Sequence, residues 1–414
     1  MAQNWVEPAH VTGAIVIPSS KSITLRYILL ASLSQGKSVI HNVTYCDDVE
    51  ALLSNFNQLG VSVERNDSTL IIEGRPWKKP QLLNCGESGF LARTLPFLCA
   101  VQGIETEIVG CGTLLRRDLT DLCSVFEAAG GTLSRTRLPL HVLPFAIQDE
   151  IEVGKQTSSQ ALSGLLMALS LKTRFTAIKI TNQPSIGYLI LTTGAMREFG
   201  GLFREIEDDS HSLLFTPKKY VGSDVSVPSD WSAAAHVIAT LQVGDAIHLN
   251  GLDRNSAQPD RAILNVLDML NVESHWTENS LHISLKRRPA NFSFDATNCP
   301  DLFPALAALA AQCDGESRIE GVNRLHNKES DRGLALLNML RAFEIPCRIE
   351  RGSLFVTGGT PHAVGIIPCA QDHRIAMAAS AIALRCHMRV YLDNTECVRK
   401  SFPQFFEVLS QNRI

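Results

Sequence analysis

No apolar run in the 414-residue chain is long enough to cross a bilayer; the longest, near Leu302 to Ala311 and Ile375 to Leu384, are about half of what a span needs. The first ten residues, MAQNWVEPAH, hold an acid and no basic residue ahead of an apolar stretch, so neither a secretory nor a transit leader is expected. The mature chain is expected to start here. Gly (27) and Pro (18) are too few for a collagen-like or low-complexity chain. The 11 cysteines are odd in number and form no C-x-x-C pair, which argues against a disulfide framework and a zinc ribbon and fits a reducing cytoplasm. Positive charge is not in excess, with 38 Lys and Arg against 42 Asp and Glu, so no global polycation exists to hold a nucleic acid. The chain also lacks a G-x-x-x-x-G-K-[ST] loop, a G-x-G-x-x-G turn and a G-x-S-x-G elbow, and its 12 histidines show no metal-ligand spacing. P-loop nucleotide, serine-hydrolase and metal chemistry are thereby set aside.

What the chain does have is length for two domains and a repeat of roughly 70 residues. Each of six units opens with a short polar cluster that runs into an apolar helix. These read SSKSITLRYILLASL at Ser19, GESGFLARTLPFLCAV at Gly86, TSSQALSGLLMALSL at Thr157, PSDWSAAAHVIATL at Pro228, TNCPDLFPALAALAA at Thr297 and QDHRIAMAASAIAL at Gln371. A strand, a second and more amphipathic helix, and one or two further strands follow, as in KSVIHNV, DDVEALLSNFNQLG and VSVERNDSTLIIEG, the last a hairpin around Asn66 and Asp67. The second helices end at Gly60, Gly130 and Gly200, where glycine supplies a left-handed cap. The first helices are apolar all round, which predicts burial on most faces. Six such units predict an α/β fold of two domains with three units each, divided near Val227 and Pro228.

A helix N-terminus carries free N–H groups and partial positive charge, so six polar helix starts predict an anionic ligand. Ser22 and Arg26 are spaced i and i+4 at the first helix start, and Gly89 and Arg93 repeat that spacing at the second. NKESDRG places Lys328, Glu329 and Arg332 in what reads as the first turn of a helix. QDHR adds Asp372, His373 and Arg374 at another start, and Lys400 falls in a loop before the last helix. The bland alternative for any one cluster is a plain N-cap with snorkelling basic residues. Cys111, beside Arg116 and Arg117, reads either as a nucleophile or as a small buried cysteine, the latter being the default.

With PSSKSITLR, the SSQ of Ser158 to Gln160, KESDR, DHR and Lys-x-Phe-Pro at Lys400, in this order, the chain resembles the enolpyruvyl transferases over nearly its whole length. It is most similar to the branch that acts on shikimate 3-phosphate. The resemblance implies two similar domains of three β-α-β-α-β-β units, inside-out α/β barrel-like, with the active site in the interdomain cleft. Residues 18–227 would form one domain, and 1–17 with 228–414 the other. The implied reaction moves the enolpyruvyl group of phosphoenolpyruvate to the 5-hydroxyl of shikimate 3-phosphate through a tetrahedral intermediate and releases phosphate. No cofactor and no metal are implied, and a cytoplasmic monomer with no nucleic-acid or membrane partner is expected.

The same resemblance assigns roles. Lys21, Ser22, Arg26, Ser158, Ser159, Gln160, Ser185, Tyr188, Asp301 and Lys328 would hold shikimate 3-phosphate. Lys21, Gly89, Arg117, Gln160, Arg332, Arg374 and Lys400 would hold phosphoenolpyruvate. Asp301 would take the hydroxyl proton, Glu329 and Lys21 would handle protons at the phosphoenolpyruvate side, and His373 would orient or assist. Several positions depart from common family patterns: Glu87, Phe90 and Thr94 in the loop GESGFLART, Asp118 after Arg117, and Arg324. Gly89 leaves room that predicts sensitivity to glyphosate, while Phe90 could reshape that pocket. Rival readings are the sister activity on a UDP-linked amino sugar, hinted at by Cys111, a ring or clamp around a polymer, and a family member that binds without turnover.

Overall fold

The computed structural model describes residues 4–154, 158–181, 185–206, 211–278 and 280–413. The chain divides into two compact units, Ser19–Val227 and Met1–Pro18 with Pro228–Ile414. Among the described residues there are six sheets, three in each unit. No helix among them is long and apolar enough to cross a membrane.

In the Ser19–Val227 unit the strands Gly36–His41, Thr69–Gly74 and Ser62–Asn66 form an antiparallel run, and Asp224–Ser226 joins it parallel to Gly36–His41 with Val225 opposite Ile40. Leu202–Ile206, His211–Thr216, Thr176–Ile180 and Glu150–Val153 form a second four-stranded sheet. The third is shorter, with only Leu82–Asn84, Thr106–Val109 and Leu140–Val142. There the segment SRTRLP at 134–139 stands where a further hairpin strand would lie, and its proline has no N–H to give to a ladder. Against these sheets pack the helices Lys21–Leu33, Gly89–Val101 and Gln160–Leu169, buried along nearly their whole length. The cluster at Thr157 begins on a residue outside the described ones; its helix is seen from Gln160. Two of these helices cross at Gly164, where a Cβ would lie 2.7 Å from the Thr94 backbone, so only glycine permits the approach. Gly60, Gly130 and Gly200 have φ of 73°, 98° and 76°, the left-handed caps that end the outer helices.

The other unit repeats the plan. Gly13–Val16 runs parallel to Ala246–Asn250, which pairs with Ser280–Ser284, and Ser280–Ser284 pairs in turn with Glu273–Trp276. Ser293–Asp295, Glu316–Glu320, Ser353–Thr357 and Cys347–Glu350 form its second sheet, and Ile366–Ile367, Val390–Leu392 and Trp5–Val6 a third of three strands. The helices Trp231–Ile238, Phe303–Ala310 and His373–Ala383 are buried on every side, as continuous Ala-rich apolar sequence dictates.

Arg93 is not a ligand arm turned to solvent. It is 2% exposed, its Nε donates to Asp121 Oδ2 at 2.8 Å, and its other nitrogens donate to the carbonyls of Gly89 and Asp118. Asp121→Ala strands that guanidinium in the core and is expected to destabilise the chain by about 3–5 kcal/mol, read as a lower urea midpoint. All 11 cysteines are free, and Cys111 is exposed, which corrects the reading of it as a buried cysteine.

Candidate active site

In the Pro228–Ile414 unit, four charged segments meet around one guanidinium. Arg332 is the first residue of the helix Arg332–Ala342, whose N-cap Asp331 accepts from Leu334 N. Arg332 is fully buried and donates to Asp301 Oδ1 at 2.9 Å, Glu329 Oε2 at 2.7 Å, and Asp372 through Nε to Oδ2 at 2.9 Å. Asp301 sits in the 3-10 turn Pro300–Leu302 that leads into a buried helix, and its Oδ2 accepts from Arg374 Nη2 at 3.1 Å. Lys328 Nζ lies 3.6 Å from Asp301 Oδ1, and Lys400, at the end of the 3-10 turn Glu396–Lys400, lies 3.5 Å from Glu329 Oε1. Four cations and three carboxylates thus interlock. Lys328 and Glu329 are not helical as the sequence suggested: the helix begins at Arg332, after Asn327 has turned the backbone left-handed at φ 63°.

Burial alone would push the Asp301 carboxyl up. Arg374, then Lys328 and Arg332, outweigh it and hold the group well below the usual carboxylate range. Burial would likewise lower Arg332, yet Asp372, Glu329 and Asp301 leave it raised. Lys328 falls below its ordinary value because burial exceeds the pull of Asp301. Asp301 is therefore ionised and, with 19% of its side chain exposed, can meet a proton donor. His373 opens the helix His373–Ala383, is 1% exposed and has its Nδ1 3.7 Å from Asp372 Oδ1, beyond hydrogen-bond reach.

The Ser19–Val227 unit carries a second set. Lys21 starts its helix with Nζ 3.0 Å from Asp48 Oδ2. Arg26 is 2% exposed; Nε donates to Thr192 Oγ1, Nη1 to the Ser22 carbonyl, and Nη2 to Ser163 Oγ and the Tyr188 carbonyl. Its guanidinium carbon stands 4.6 Å over the Phe90 ring, and burial lowers its pKa to about 10. Gly89, Arg117 and Gln160 converge: a Cβ on Gly89 would meet Arg117 Nη1 at 2.7 Å and Gln160 Oε1 at 3.6 Å. Ser158 Oγ accepts from Gln160 N at 3.2 Å, Ser159 is buried, and Ser185 is held at φ 62° ahead of the helix bearing Tyr188.

A family model for EPSP synthase (3-phosphoshikimate 1-carboxyvinyltransferase) matches residues 6–409. The chain belongs to the EPSP synthase family. It is 32% identical over 413 residues to the 3-phosphoshikimate 1-carboxyvinyltransferase of Clostridium kluyveri, covering 97% of this chain and 95% of the relative. The enzyme of that name from Clostridium acetobutylicum is 31% identical over 422 residues, with 98% and 96% covered. The fold is similar to the EPSP synthase structure from Acinetobacter baumannii, with a TM-score of 0.81 at 23% identity over 99% of this chain and 98% of that one. It also resembles the enolpyruvyl transferase NikO from Streptomyces tendae, with a TM-score of 0.78 at 15% identity over 99% and 97%.

Within this EPSP synthase family chain, the departures at the second helix start have local partners. Glu87 Oε2 accepts from Thr113 Oγ1 at 3.0 Å, and Thr113 in turn accepts from Arg117 Nη2 at 3.1 Å, so Glu87 steadies Arg117 through a hydroxyl. Phe90 stacks on Arg26, Thr94 Oγ1 bonds back to the Phe90 carbonyl at 3.0 Å, and Asp118 caps Thr120 N at 2.6 Å. The sequence marks Asp372 only as a helix-start residue and leaves Asp48 unmarked. Asp372 was legible as a cap before His-Arg; Asp48 gave no signal, being a first-turn acid whose partner is 27 positions away.

Proposed function

We propose that this chain transfers the enolpyruvyl group of phosphoenolpyruvate to the 5-hydroxyl of shikimate 3-phosphate and releases phosphate. The observation that carries the proton roles is Arg332 bridging two carboxylates, Asp301 at 2.9 Å and Glu329 at 2.7 Å, each with a second cation beside it. In the addition step the 5-hydroxyl oxygen bonds to C2 of phosphoenolpyruvate, its proton passes to Asp301, and C3 receives a proton from the Lys21 and Glu329 side. Elimination removes a proton from C3 and expels phosphate. Arg332, Arg374, Lys400, Arg117 and the Gly89 backbone meet the anionic groups of phosphoenolpyruvate. Ser158, Ser159, Ser185 and Lys328 take the phosphate of the acceptor, Ser22 and Arg26 its carboxylate, and Gln160 and Tyr188 its ring.

Resting ion pairs suit this work. When the substrate anions draw Arg374, Lys328 and Arg332, the cations that hold Asp301 low are shared, and its affinity for a proton rises. Asp372 Oδ1 accepts from Arg374 N and caps the helix start that presents Arg374, and His373, buried beside it, orients or assists. The reaction asks for no cofactor, metal, nucleic acid or membrane, and a single cytoplasmic chain supplies every group. The test is phosphate release with both substrates and with each alone. Release that needs both is expected; no release with both sinks the reading.

A further inference from the structure

Glu87, one of the departures from the family pattern, is tied to the substrate arm Arg117 by a buried hydroxyl that no role above uses. Thr113 Oγ1 donates to Glu87 Oε2 at 3.0 Å and accepts from Arg117 Nη2 at 3.1 Å. The two bonds use the hydroxyl in opposite senses. With its one proton committed to a carboxylate, the hydroxyl turns a lone pair to the guanidinium and has no proton to point at it. Thr113 is 3% exposed and Arg117 7%, so little water competes for either bond.

The carboxylate reaches Thr113 across the 3-10 turn Gly112–Arg116, and Gly112 is what lets it pass. A Cβ on Gly112 would sit 1.6 Å from Glu87 Oε1, and the backbone there is left-handed at φ 55°, so two separate constraints ask for glycine. Cys111 N donates to the Gly86 carbonyl at 2.8 Å and ties the same two loops together. On the other side of the guanidinium stands Gly89, the first residue of the helix Gly89–Val101. A Cβ on Gly89 would lie 2.7 Å from Arg117 Nη1 and 3.3 Å from Arg93 Nη1, so two cations face one point. Arg93 answers to Asp121, bonded at 2.8 Å, while the charge of Glu87 reaches Arg117 through Thr113. Because Thr113 fixes Nη2, it is Nη1 that is set against Gly89.

We propose that Glu87 and Thr113 are a positioning pair for phosphoenolpyruvate: the carboxylate orients the hydroxyl, and the hydroxyl aims Arg117 Nη1 along the Gly89 backbone, where an anionic group of that substrate docks. The inference rests on the roles given above to Arg117 and Gly89. An arginine is a long side chain, and one whose fork is already set loses less freedom on gripping an anion than one that the anion must order. The effect belongs to binding, since no proton of the reaction is assigned to either residue.

The experiment measures kcat and both KM values, by phosphate release, in the unaltered chain, Thr113→Val, Thr113→Ser and Glu87→Ala. Thr113→Val keeps the size and removes the hydroxyl. Its KM for phosphoenolpyruvate is expected to rise about tenfold or more, the scale of a lost hydrogen bond to a charged group. Its kcat and its KM for shikimate 3-phosphate should stay within about twofold, because the grip on the anion is the same before and during the reaction. Thr113→Ser keeps the hydroxyl and should recover most of the lost affinity. Glu87→Ala lets the hydroxyl turn its proton towards Arg117, so KM for phosphoenolpyruvate should rise here too. A merely structural role predicts a fall in kcat with both KM values unmoved. An unchanged KM for phosphoenolpyruvate in Thr113→Val, a rise shared equally by both substrates, or a Thr113→Ser no better than Thr113→Val overturns the proposal. So does a fall in that KM for Glu87→Ala, which would show the carboxylate only offsetting the charge of Arg117. If the unaltered chain gives no phosphate from the two substrates, the functional reading fails first and takes this inference with it, an outcome seen before any variant is made.

Discussion

Asp301→Asn is expected to bind both substrates and to lose turnover by about 10²–10⁴-fold, the range by which a positioned general base accelerates a reaction. The amide keeps the shape, but Arg332 and Arg374 now bond different carboxyl oxygens at 2.9 and 3.1 Å, so its single oxygen keeps one of these bonds and its NH2 turns a donor towards the other arginine. What it cannot do is take a proton. The direction of the KM change is a second check. Losing one negative charge among Arg332, Arg374 and Lys328 leaves those cations more available to anionic substrates, so KM for phosphoenolpyruvate should stay or fall. A large rise in KM with kcat preserved would show that Asp301 holds substrate and moves no proton. Near-normal kcat would remove it from the chemistry altogether.

The positions of the site elements were legible in sequence because helix starts announce themselves locally. Asp230, Asp331 and Asp372 all cap helices with their own side chains, and each stands just before an arginine or an apolar run. The glycines at 60, 130 and 200 marked the outer helix ends for the same reason, a backbone angle that other residues rarely adopt. What a cluster does was less legible, because it depends on partners distant in the chain. Arg26 and Arg93 share the same i+4 spacing from a polar or glycine residue, yet Arg26 finds hydroxyls at Ser163 and Thr192 while Arg93 finds Asp121 and becomes a core ion pair. Asp260 illustrates the limit. Nothing in RNSAQPDRAIL signals that its carboxyl is buried against Ser232, since that contact comes from another helix.

Arg332→Ala is expected to damage stability and activity together, and the pH dependence identifies the cause. The guanidinium is fully buried and bonds Asp301, Glu329 and Asp372 at once; without it three carboxylates crowd a site with Lys328, Arg374 and Lys400 as the remaining cations. Breaking a buried network from one side costs about 3–5 kcal/mol. Arg332→Lys should recover part of the stability and little activity, because one ammonium cannot reach three carboxylates in the fork geometry of a guanidinium. The sign with pH follows from Asp301. Its carboxyl is held below the usual range in the folded chain, so it stabilises the fold above the unfolded carboxylate pKa of about 4, and that contribution is lost as pH falls through the folded value. Arg332 supplies part of that lowering, so removing it lifts Asp301 towards its unfolded value. The stability gap between the unaltered chain and Arg332→Ala should thus hold from neutral pH down to about pH 4 and shrink below it, as measured by urea unfolding at pH 7 and at about pH 2. A gap equal at both would trace the loss to packing around the arginine stem instead of to the carboxylates it bridges.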